Sequence, residues 1–184
     1  SIKGVEKLTN LEKLTLKKNK IEDISMLSQL TKLKHLDLGE NEIKTMYPLE
    51  NLTNLTYLNL DKNYIGDMRP VKSLVNLEEL DMSRNGIQGL ADFSKLKKLK
   101  KLYLNSNRIS DVAQIADLTE LTHLYLNDNA VIEIFPLKPL QKLKVLSLNI
   151  NRIDIILVLG KLMALEELYM QDNQLRDLAP INDH

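Results

Sequence analysis

Several residue types are missing or scarce in this chain of 184 residues. It contains no cysteine and no tryptophan, and only six glycines and five prolines. The absence of cysteine excludes disulfides, thiol nucleophiles and thiolate metal sites. The 25 basic and 25 acidic side chains leave no net charge, which disfavours nucleic-acid binding because phosphate contacts need a basic excess. The longest apolar run, residues 155–159, has five residues, far fewer than the roughly 20 of a membrane-spanning helix. We therefore expect no nucleic-acid partner and no membrane insertion.

One residue type is strongly over-represented, since 38 of the 184 residues are leucine. Such a bias indicates internal repeats. Asparagine recurs every 22 residues without an insertion, at positions 19, 41, 63, 85, 107, 129, 151 and 173. Alignment on these asparagines gives eight copies of the pattern L-x-x-L-x-L-x-x-N-x-I-x-x-I. The 22 positions of each copy are numbered as columns, with Leu11 in column 1 and Asn19 in column 9 of the first repeat.

The pattern predicts the path of the backbone through each repeat. Leucines in columns 4 and 6 alternate with period 2, which indicates a short strand with both side chains on one face. Strands at constant spacing must stack in parallel, about 4.8 Å apart. The asparagine of column 9 ends the strand, and its amide is expected to bond backbone groups of its own turn and the next turn.

The return path of each repeat has about a dozen residues, too few for a long helix with two loops. Column 16 also holds proline in four repeats, at positions 48, 70, 136 and 180, and proline disfavours a regular α-helix. We expect 3₁₀ turns or extended segments on the convex side and a curved parallel sheet on the concave side.

These repeats resemble the leucine-rich repeat family, and the resemblance covers essentially the whole chain. It implies an α/β-type solenoid, a right-handed superhelix of eight 22-residue repeats. Residues 1–184 then form a single domain, in which residues 1–10 are a partial repeat and residues 11–184 hold eight repeats, the last incomplete.

Two groups of the family share the 22-residue period. One is an intracellular, phosphatase-regulatory type, which more often carries I-E-G-L after column 11; residues 2–5 are the only approximation here. The other is a bacterial type that includes the internalins, surface adhesins that grip host receptors on their concave face. A D-I-x-P-L flavour at residues 23–27, 67–71 and 177–181, and Leu-Thr-Asn-Leu at residues 8–11 and 52–55, resemble the bacterial type. The resemblance therefore favours an extracellular or bacterial cell-surface location over a cytoplasmic one, without fixing the compartment.

A binding surface is expected in the variable columns 3, 5, 7, 8 and 10, because their side chains alternate with the buried leucines and face the concave side. Five of the six tyrosines lie in these columns. Tyr103 and Tyr125 fall on neighbouring strands, about 5 Å apart, and tyrosine and arginine are enriched at binding hot spots. The predicted partner-binding residues are Tyr57, Tyr64, Tyr103, Arg108, His123, Tyr125, Val145, Arg152 and Tyr169. The alternative is that tyrosines simply suit exposed strand faces as cross-strand partners.

Two further surface features have alternative interpretations. Ile155, Leu157 and Val158 in repeat 7, with Phe135 in repeat 6, predict an exposed apolar patch on the edge that leads to the convex side. This patch is either a local repacking of a strand-like return segment or a second contact surface. The basic run between Lys95 and Lys101 is interrupted by inward-pointing leucines and has no interleaved aromatic residue, so it indicates a solvated edge of the solenoid.

Features that support catalysis are missing from the sequence. It has no glycine-rich phosphate loop, no G-x-S-x-G and no H-E-x-x-H. His35 and His123 fall four strands apart, roughly 20 Å, and His184 is terminal, so they cannot share a metal ion. Asp37 and Asp81 are separated by roughly 10 Å, which suits neither a retaining carboxylate pair nor a compact calcium site. We expect no enzyme activity, no cofactor and no metal.

The sequence therefore predicts a non-enzymatic module that binds a protein partner on its concave face, in the manner of a bacterial surface adhesin. The alternatives are an intracellular regulatory scaffold of the phosphatase-regulatory type and a purely structural spacer. Because nothing in the sequence covers Leu11 or Leu165 at the two ends, we expect exposed core leucines there. The chain is then a fragment of a longer protein, or its ends associate with another chain. It begins at Ser1 without Met, a start compatible with removal of a signal peptide.

Overall fold

The structure, a computed structural model, describes residues 1–176. Eight three-residue strands form one sheet in chain order, with every neighbouring pair parallel. The strands are Lys13–Thr15 (β1), His35–Asp37 (β2), Tyr57–Asn59 (β3), Glu79–Asp81 (β4), Lys101–Tyr103 (β5), His123–Tyr125 (β6), Val145–Ser147 (β7) and Glu167–Tyr169 (β8). Each residue pairs with the same column of the next repeat, as Leu58 does with Leu80. The predicted leucine-rich repeat solenoid is confirmed. The predictions for Asp177–Ile181, Pro180 and His184 lie outside the described residues.

The return segments contain short 3₁₀ helices, one of the two forms that the sequence predicted. Within residues 1–176 they are Val5–Lys7 (η1), Ser25–Gln29 (η2), Tyr47–Leu49 (η3), Arg69–Ser73 (η4), Ala113–Asp117 (η5), Phe135–Leu137 (η6) and Leu157–Lys161 (η7). Pro48, Pro70 and Pro136 lie in the first turn of their helices. Proline suits this position because its fixed φ is helical and its missing N–H would have no partner there.

The return segment of the fourth repeat differs from the others: residues 82–100 contain turns but no 3₁₀ helix. Leu90 of this segment is only partly buried, and its neighbour Ala91 turns inward instead. Phe93 is fully buried in the same segment. It occupies column 17, where other repeats bury a smaller aliphatic residue such as Leu27 or Val71.

The hydrophobic core consists mainly of leucine and isoleucine side chains and continues along the length of the solenoid. In the middle repeats the leucines of columns 4 and 6 are fully buried, as Leu58 and Leu60 are. Each such side chain contributes about 1.5–3 kcal/mol of transfer free energy. At the two ends Leu8 is 53% exposed and Leu168 is 41% exposed. Leu11 and Leu165, which were predicted to be exposed, are partly buried.

A ladder of asparagine side chains in column 9 joins each repeat to its neighbour. The amide nitrogen of Asn63 donates to the carbonyl oxygens of Leu60 and Leu38, both at 3.1 Å. The amide oxygen of Asn63 accepts the backbone N–H of Ile43 at 3.0 Å. The expected bond to a second turn is therefore present, but that turn is the preceding one rather than the next. Asn63 is 5% exposed, so these bonds satisfy backbone groups that water cannot reach.

The residue in column 8 of every repeat adopts the left-handed backbone conformation, with φ between 52° and 60°. The eight residues are Lys18, Glu40, Lys62, Arg84, Ser106, Asp128, Ile150 and Asp172. This conformation turns the chain after the strand and aims the column 8 N–H at the next repeat. Glu40 N–H, for example, donates to the carbonyl oxygen of Asp61 at 2.7 Å. The repeat pattern did not predict this conformation, because none of the eight residues is glycine.

The predicted apolar patch of repeats 6 and 7 is present in part. Phe135 is 68% exposed, Ile155 is 64% exposed and Leu157 is 53% exposed. The prediction was wrong for Val158, which is 5% exposed and belongs to the core. Val158 occupies column 16 inside η7, and the 3₁₀ turn directs that column inward, as it does for the buried Pro70 in η4. The return segment of repeat 7 is therefore helical rather than strand-like.

No helix in the part of the chain that the structure describes is long and apolar enough to cross a lipid bilayer.

Candidate protein-binding surface

The side chains of columns 3 and 5 stand on the strand side of the solenoid, with columns 7, 8 and 10 along its edge. We call this region the concave surface. Its side chains alternate with buried leucines, so that in β5 Leu102 is buried while Lys101 and Tyr103 are partly exposed. The same alternation holds in β6 around Leu124. The sheet therefore presents two rows of variable side chains at the fixed spacing of parallel strands.

Tyr103 and Tyr125, which share column 5 on neighbouring strands, stack face to face on the concave surface. Their ring centroids lie 4.7 Å apart and their planes differ by 2°. Burial raises the pKa of Tyr103 to about 12, with further contributions from the Glu79 carboxylate and Tyr125. Burial also raises the pKa of Tyr125, followed by the charge of Glu167. Both phenols are therefore neutral donors at physiological pH. Neither hydroxyl has a hydrogen-bond partner within residues 1–176.

A second stack joins His35 and Tyr57, at a centroid distance of 4.1 Å and an interplanar angle of 5°. Burial lowers the pKa of His35, and the nearby Lys13 lowers it further. The imidazole is consequently neutral against the tyrosine ring at pH 7. Tyr57 is among the predicted contact residues, whereas His35 is not. The signal was available, because both residues occupy column 3 of adjacent repeats.

The first half of the concave surface is formed by repeats 1 to 4 and the second half by repeats 5 to 8. In the first half, the charged groups bond to one another. The guanidinium of Arg84 makes a bidentate contact with the Asp61 carboxylate, with Nε at 2.9 Å from Oδ1. The carboxylate of Glu40 lies 3.8 Å from the ammonium groups of both Lys17 and Lys62. These charged side chains are therefore paired with one another within the chain.

The carboxylates of column 5 are also engaged inside the chain. Asp37 accepts a hydrogen bond from the side-chain amide of Asn59 at 3.0 Å. Asp81 accepts the backbone N–H of Ser83 at 2.9 Å. Burial raises the pKa of Asp81, although the bonds from Ser83 oppose the shift. This arrangement orders the surface and leaves the carboxylates little freedom to act as a catalytic pair.

In the second half of the concave surface, column 7 carries a second row of asparagines. The amide oxygen of Asn105 accepts the backbone N–H of Asn127 at 2.9 Å and its side-chain amide at 3.0 Å. The amide oxygen of Asn127 in turn accepts the Ser147 hydroxyl at 2.7 Å and the Asn149 N–H at 2.9 Å. These bonds fix the polar edge beside the tyrosine stack. The repeat pattern did not single out this row, because column 7 also holds other residue types.

The remaining predicted contact residues do not form one cluster with the stack. Val145 is only 6% exposed, so it offers almost no surface to a partner. Tyr169 is 43% exposed, two strands from Tyr125, and its hydroxyl donates to Glu167 at 2.8 Å. Tyr64 is 64% exposed and lies in column 10 of repeat 3.

His123, Arg108 and Arg152 surround the second half of the concave surface. His123 lies beside Lys101 in the sheet, and its Nδ1 is 2.8 Å from the hydroxyl of Thr122. Arg108 and Arg152 are exposed, and neither has a carboxylate within ion-pair distance among the described residues. The structure thus places His123 next to the tyrosine stack and leaves the two arginines available at its edge.

No group of three or more histidine or carboxylate side chains in residues 1–176 is placed to hold a metal ion.

Comparisons with known proteins identify the family. The family described as "Leucine Rich repeats (2 copies)" matches residues 9–51, 31–73, 75–119 and 97–139, more than half of the chain. A comparison with curated proteins found no significant match.

Three solved structures illustrate the structural similarity. Internalin C2 from Listeria monocytogenes is 31% identical with a TM-score of 0.90, over 94% of this chain and 76% of that protein. A leucine-rich repeat protein from Leptospira interrogans is 28% identical with a TM-score of 0.88, over 94% of this chain and 46% of that one. The third structure is the ectodomain of the plant receptor kinase GASSHO1/SCHENGEN3 from Arabidopsis thaliana, in complex with Casparian strip integrity factor 2. It shares the fold, with 24% identity and a TM-score of 0.80, over 97% of this chain and 26% of that one. The chain belongs to the leucine-rich repeat family and is internalin-like.

Proposed function

We propose that this chain is a non-enzymatic bacterial surface module that holds a protein partner on the second half of its concave surface. Leucine-rich repeat proteins generally mediate protein–protein interactions, and their fold is typically a non-enzymatic scaffold. The similarity to internalin C2 supports the adhesin-like type over the phosphatase-regulatory type.

The observation that carries this proposal is the Tyr103–Tyr125 stack. Its two rings are parallel and 4.7 Å apart, so each ring restricts the rotation of the other. A partner that packs on the exposed ring edges therefore loses little side-chain entropy on the side of this chain. Neutral tyrosine hydroxyls add hydrogen-bond donors at the same place, and tyrosine is among the residues that dominate binding energy in protein interfaces.

The rest of the surface holds this anchor in place. The bonds between Asn105, Asn127 and Ser147 fix the edge beside the stack. The backbone register of β5 and β6 sets the separation of the two rings. Because these elements are ordered in the free chain, complex formation does not require them to fold. Arg108 and Arg152 supply exposed cations at the edge for carboxylates of a partner.

The test compares a double variant of the stack with a matched control. Tyr47 is the tyrosine outside the concave columns; it lies in η3, is 45% exposed, and has its hydroxyl 3.4 Å from Asp67. Biotinylated wild type, Tyr103→Ala/Tyr125→Ala and Tyr47→Ala are compared as bait in pull-downs from extracts of cell-surface proteins. Captured partners are identified, and their affinities for the three proteins are measured with purified protein.

We expect the double variant to lose at least about 30-fold in affinity, which corresponds to about 2 kcal/mol. The Tyr47→Ala variant should bind as the wild type does. Equal binding by all three proteins would refute the assignment of the concave surface. Absence of saturable binding by the folded wild type would instead favour a structural spacer.

A further inference from the structure

We propose that Ile150 is a contact residue for an aliphatic side chain of the partner, and that Asp128 and Asp172 select basic residues on either side of that side chain. This inference rests on the proposed function, because it places a second recognition point on the same concave surface. Ile150 is in column 8 of repeat 7, and the two aspartates are in the same column of repeats 6 and 8. Parallel strand spacing puts each aspartate about 4.8 Å along the column from Ile150.

The backbone of Ile150 is strained. Its φ is 55°, in the left-handed region that isoleucine disfavours because a β-branched side chain crowds the backbone there. Asparagine, aspartate and glycine adopt this conformation at lower cost, and aspartate fills column 8 in both neighbouring repeats. Isoleucine is therefore an unfavourable residue for the turn that column 8 forms.

The side chain of Ile150 does not recover this cost inside the chain. It is 51% exposed and is not part of the buried core. The backbone bonds of the position do not depend on the side chain either. The Ile150 N–H donates to the Gln171 carbonyl oxygen at 2.8 Å, and the equivalent N–H of Asp128 donates to Asn149 at the same distance. Because about half of the side chain remains exposed, its burial offsets only part of this strain in the free chain, and such strain concentrates at binding sites.

The charges around Ile150 indicate the chemistry of the partner. Asp128 and Asp172 are exposed, and neither has a cation within ion-pair distance among the described residues. Column 8 of the earlier repeats behaves differently, since Glu40 is paired with Lys62 and Arg84 is paired with Asp61. An apolar side chain between two unpaired carboxylates matches a partner segment that presents an aliphatic residue between lysine or arginine residues.

Arg108 and Arg152 do not neutralise this pattern. They lie two residues further along their repeats, in column 10, and form no ion pair with either aspartate in residues 1–176. A basic partner side chain can therefore pair with the free carboxylates of column 8. The contact is defined by column 8 of repeats 6 to 8.

A random 15-residue peptide display library tests the proposal without knowledge of the natural partner. The library is selected on immobilised wild type, on Ile150→Asn and on Asp128→Asn/Asp172→Asn. Ser106→Asn is the matched control, because Ser106 occupies column 8 of repeat 5 with a φ of 52°. The tyrosine double variant described above is selected in parallel. Thermal unfolding of each folded protein is measured by circular dichroism.

Wild type should enrich peptides with an aliphatic residue flanked by lysine or arginine. Ile150→Asn should bind these peptides at least tenfold more weakly, yet unfold about 2–4 °C higher because the backbone strain is relieved. The aspartate double variant should lose the preference for basic flanks, and Ser106→Asn should bind as wild type does.

Equal binding by Ile150→Asn, or an unfolding midpoint that does not rise, would overturn the assignment of Ile150. If the tyrosine variant loses binding while Ile150→Asn does not, only this inference fails and the proposed function stands. If neither variant changes binding of the selected peptides, both fail.

Discussion

Replacement of Asn107 by alanine tests how much the column 9 ladder stabilises the solenoid. The amide oxygen of Asn107 accepts the backbone N–H of Ile87 at 3.0 Å and that of Asn85 at 3.1 Å. Its amide nitrogen donates to the carbonyl oxygens of Met82 and Leu104, both at 3.1 Å. Alanine can make none of these bonds.

The expected cost follows from the groups that lose their partners. Ile87 is fully buried and Asn85 is 6% exposed, so water cannot readily replace the lost oxygen at their N–H groups. A stranded buried donor costs about 1–3 kcal/mol. Asn107 itself is only partly buried, which lets some relaxation occur. We expect Asn107→Ala to lower the free energy of unfolding by about 2–4 kcal/mol.

Asn19→Ala is the control, because it removes the same side chain from the same column. Asn19 is exposed and donates to Leu16 O at 2.9 Å and weakly to Lys17 O at 3.4 Å. Within residues 1–176 its amide oxygen accepts no hydrogen bond. Loss of one exposed bond should cost about 0.5–1 kcal/mol.

Urea unfolding followed by far-ultraviolet circular dichroism measures both variants. Amide exchange gives a local check, because the N–H of Ile109 bonds to Asn129 at 3.0 Å and is an internal reference for the N–H of Ile87. The Ile87 amide should lose more protection than the Ile109 amide in Asn107→Ala. If Asn107→Ala destabilises the protein no more than Asn19→Ala, the ladder does not have the role we assign to it.

Three other predictions concern the tyrosine stack, the apolar patch and the ends. The absorbance of the ionised Tyr103 phenol is obtained as the difference between wild type and Tyr103→Phe. It should appear near pH 12 and not near pH 10, because burial and Glu79 raise the pKa of Tyr103 to about 12. Since the unfolded phenol ionises first, Tyr103 makes stability fall as pH rises from about 10 to 12; a difference that titrates at 10 would contradict this. Phe135→Ser should change the free energy of unfolding by less than about 0.5 kcal/mol, because Phe135 is exposed. Val158→Ser should cost about 2–3 kcal/mol, because Val158 is only 5% exposed. Similar urea midpoints for the two variants would disprove the assigned burial. The isolated chain should self-associate through the apolar surface at Leu8 and Leu168, which are 53% and 41% exposed; sedimentation of a single monomeric species at high concentration would exclude this.

The fold could be predicted from the sequence because the repeat fixes both register and burial. Eight asparagines at a constant interval place the same column opposite itself in every strand pair, as in the pairing of Tyr103 with Tyr125. Leucine in columns 4 and 6 then leaves only one face for the core. Proline in column 16 argued against regular α-helices in the return segments, and Pro48 and Pro70 lie in the first turns of η3 and η4.

The surface was harder to predict, because burial there depends on the neighbours of each side chain. Val145 occupies a column that faces solvent in other repeats, yet it is only 6% exposed. The predicted exposure of Val158 was wrong, because column 16 turns inward. The left-handed conformation of column 8 was also not predicted, since Ile150 gives no local signal for it. Periodicity specifies which face a residue is on, but the side chains around it determine how much of it a partner can reach.

The identical joints between repeats have a consequence for how such a surface can be lengthened. Each joint uses the same asparagine bonds across 20 and 25 residues, and no repeat contains an insertion. A copy of residues 99–120 inserted after residue 120 would therefore join both neighbours through the bonds already present. It would add a third tyrosine between Tyr103 and Tyr125 and lengthen the stacked row by one strand spacing, about 4.8 Å. Duplication of a single 22-residue unit thus extends the concave surface in fixed steps while the fold stays the same.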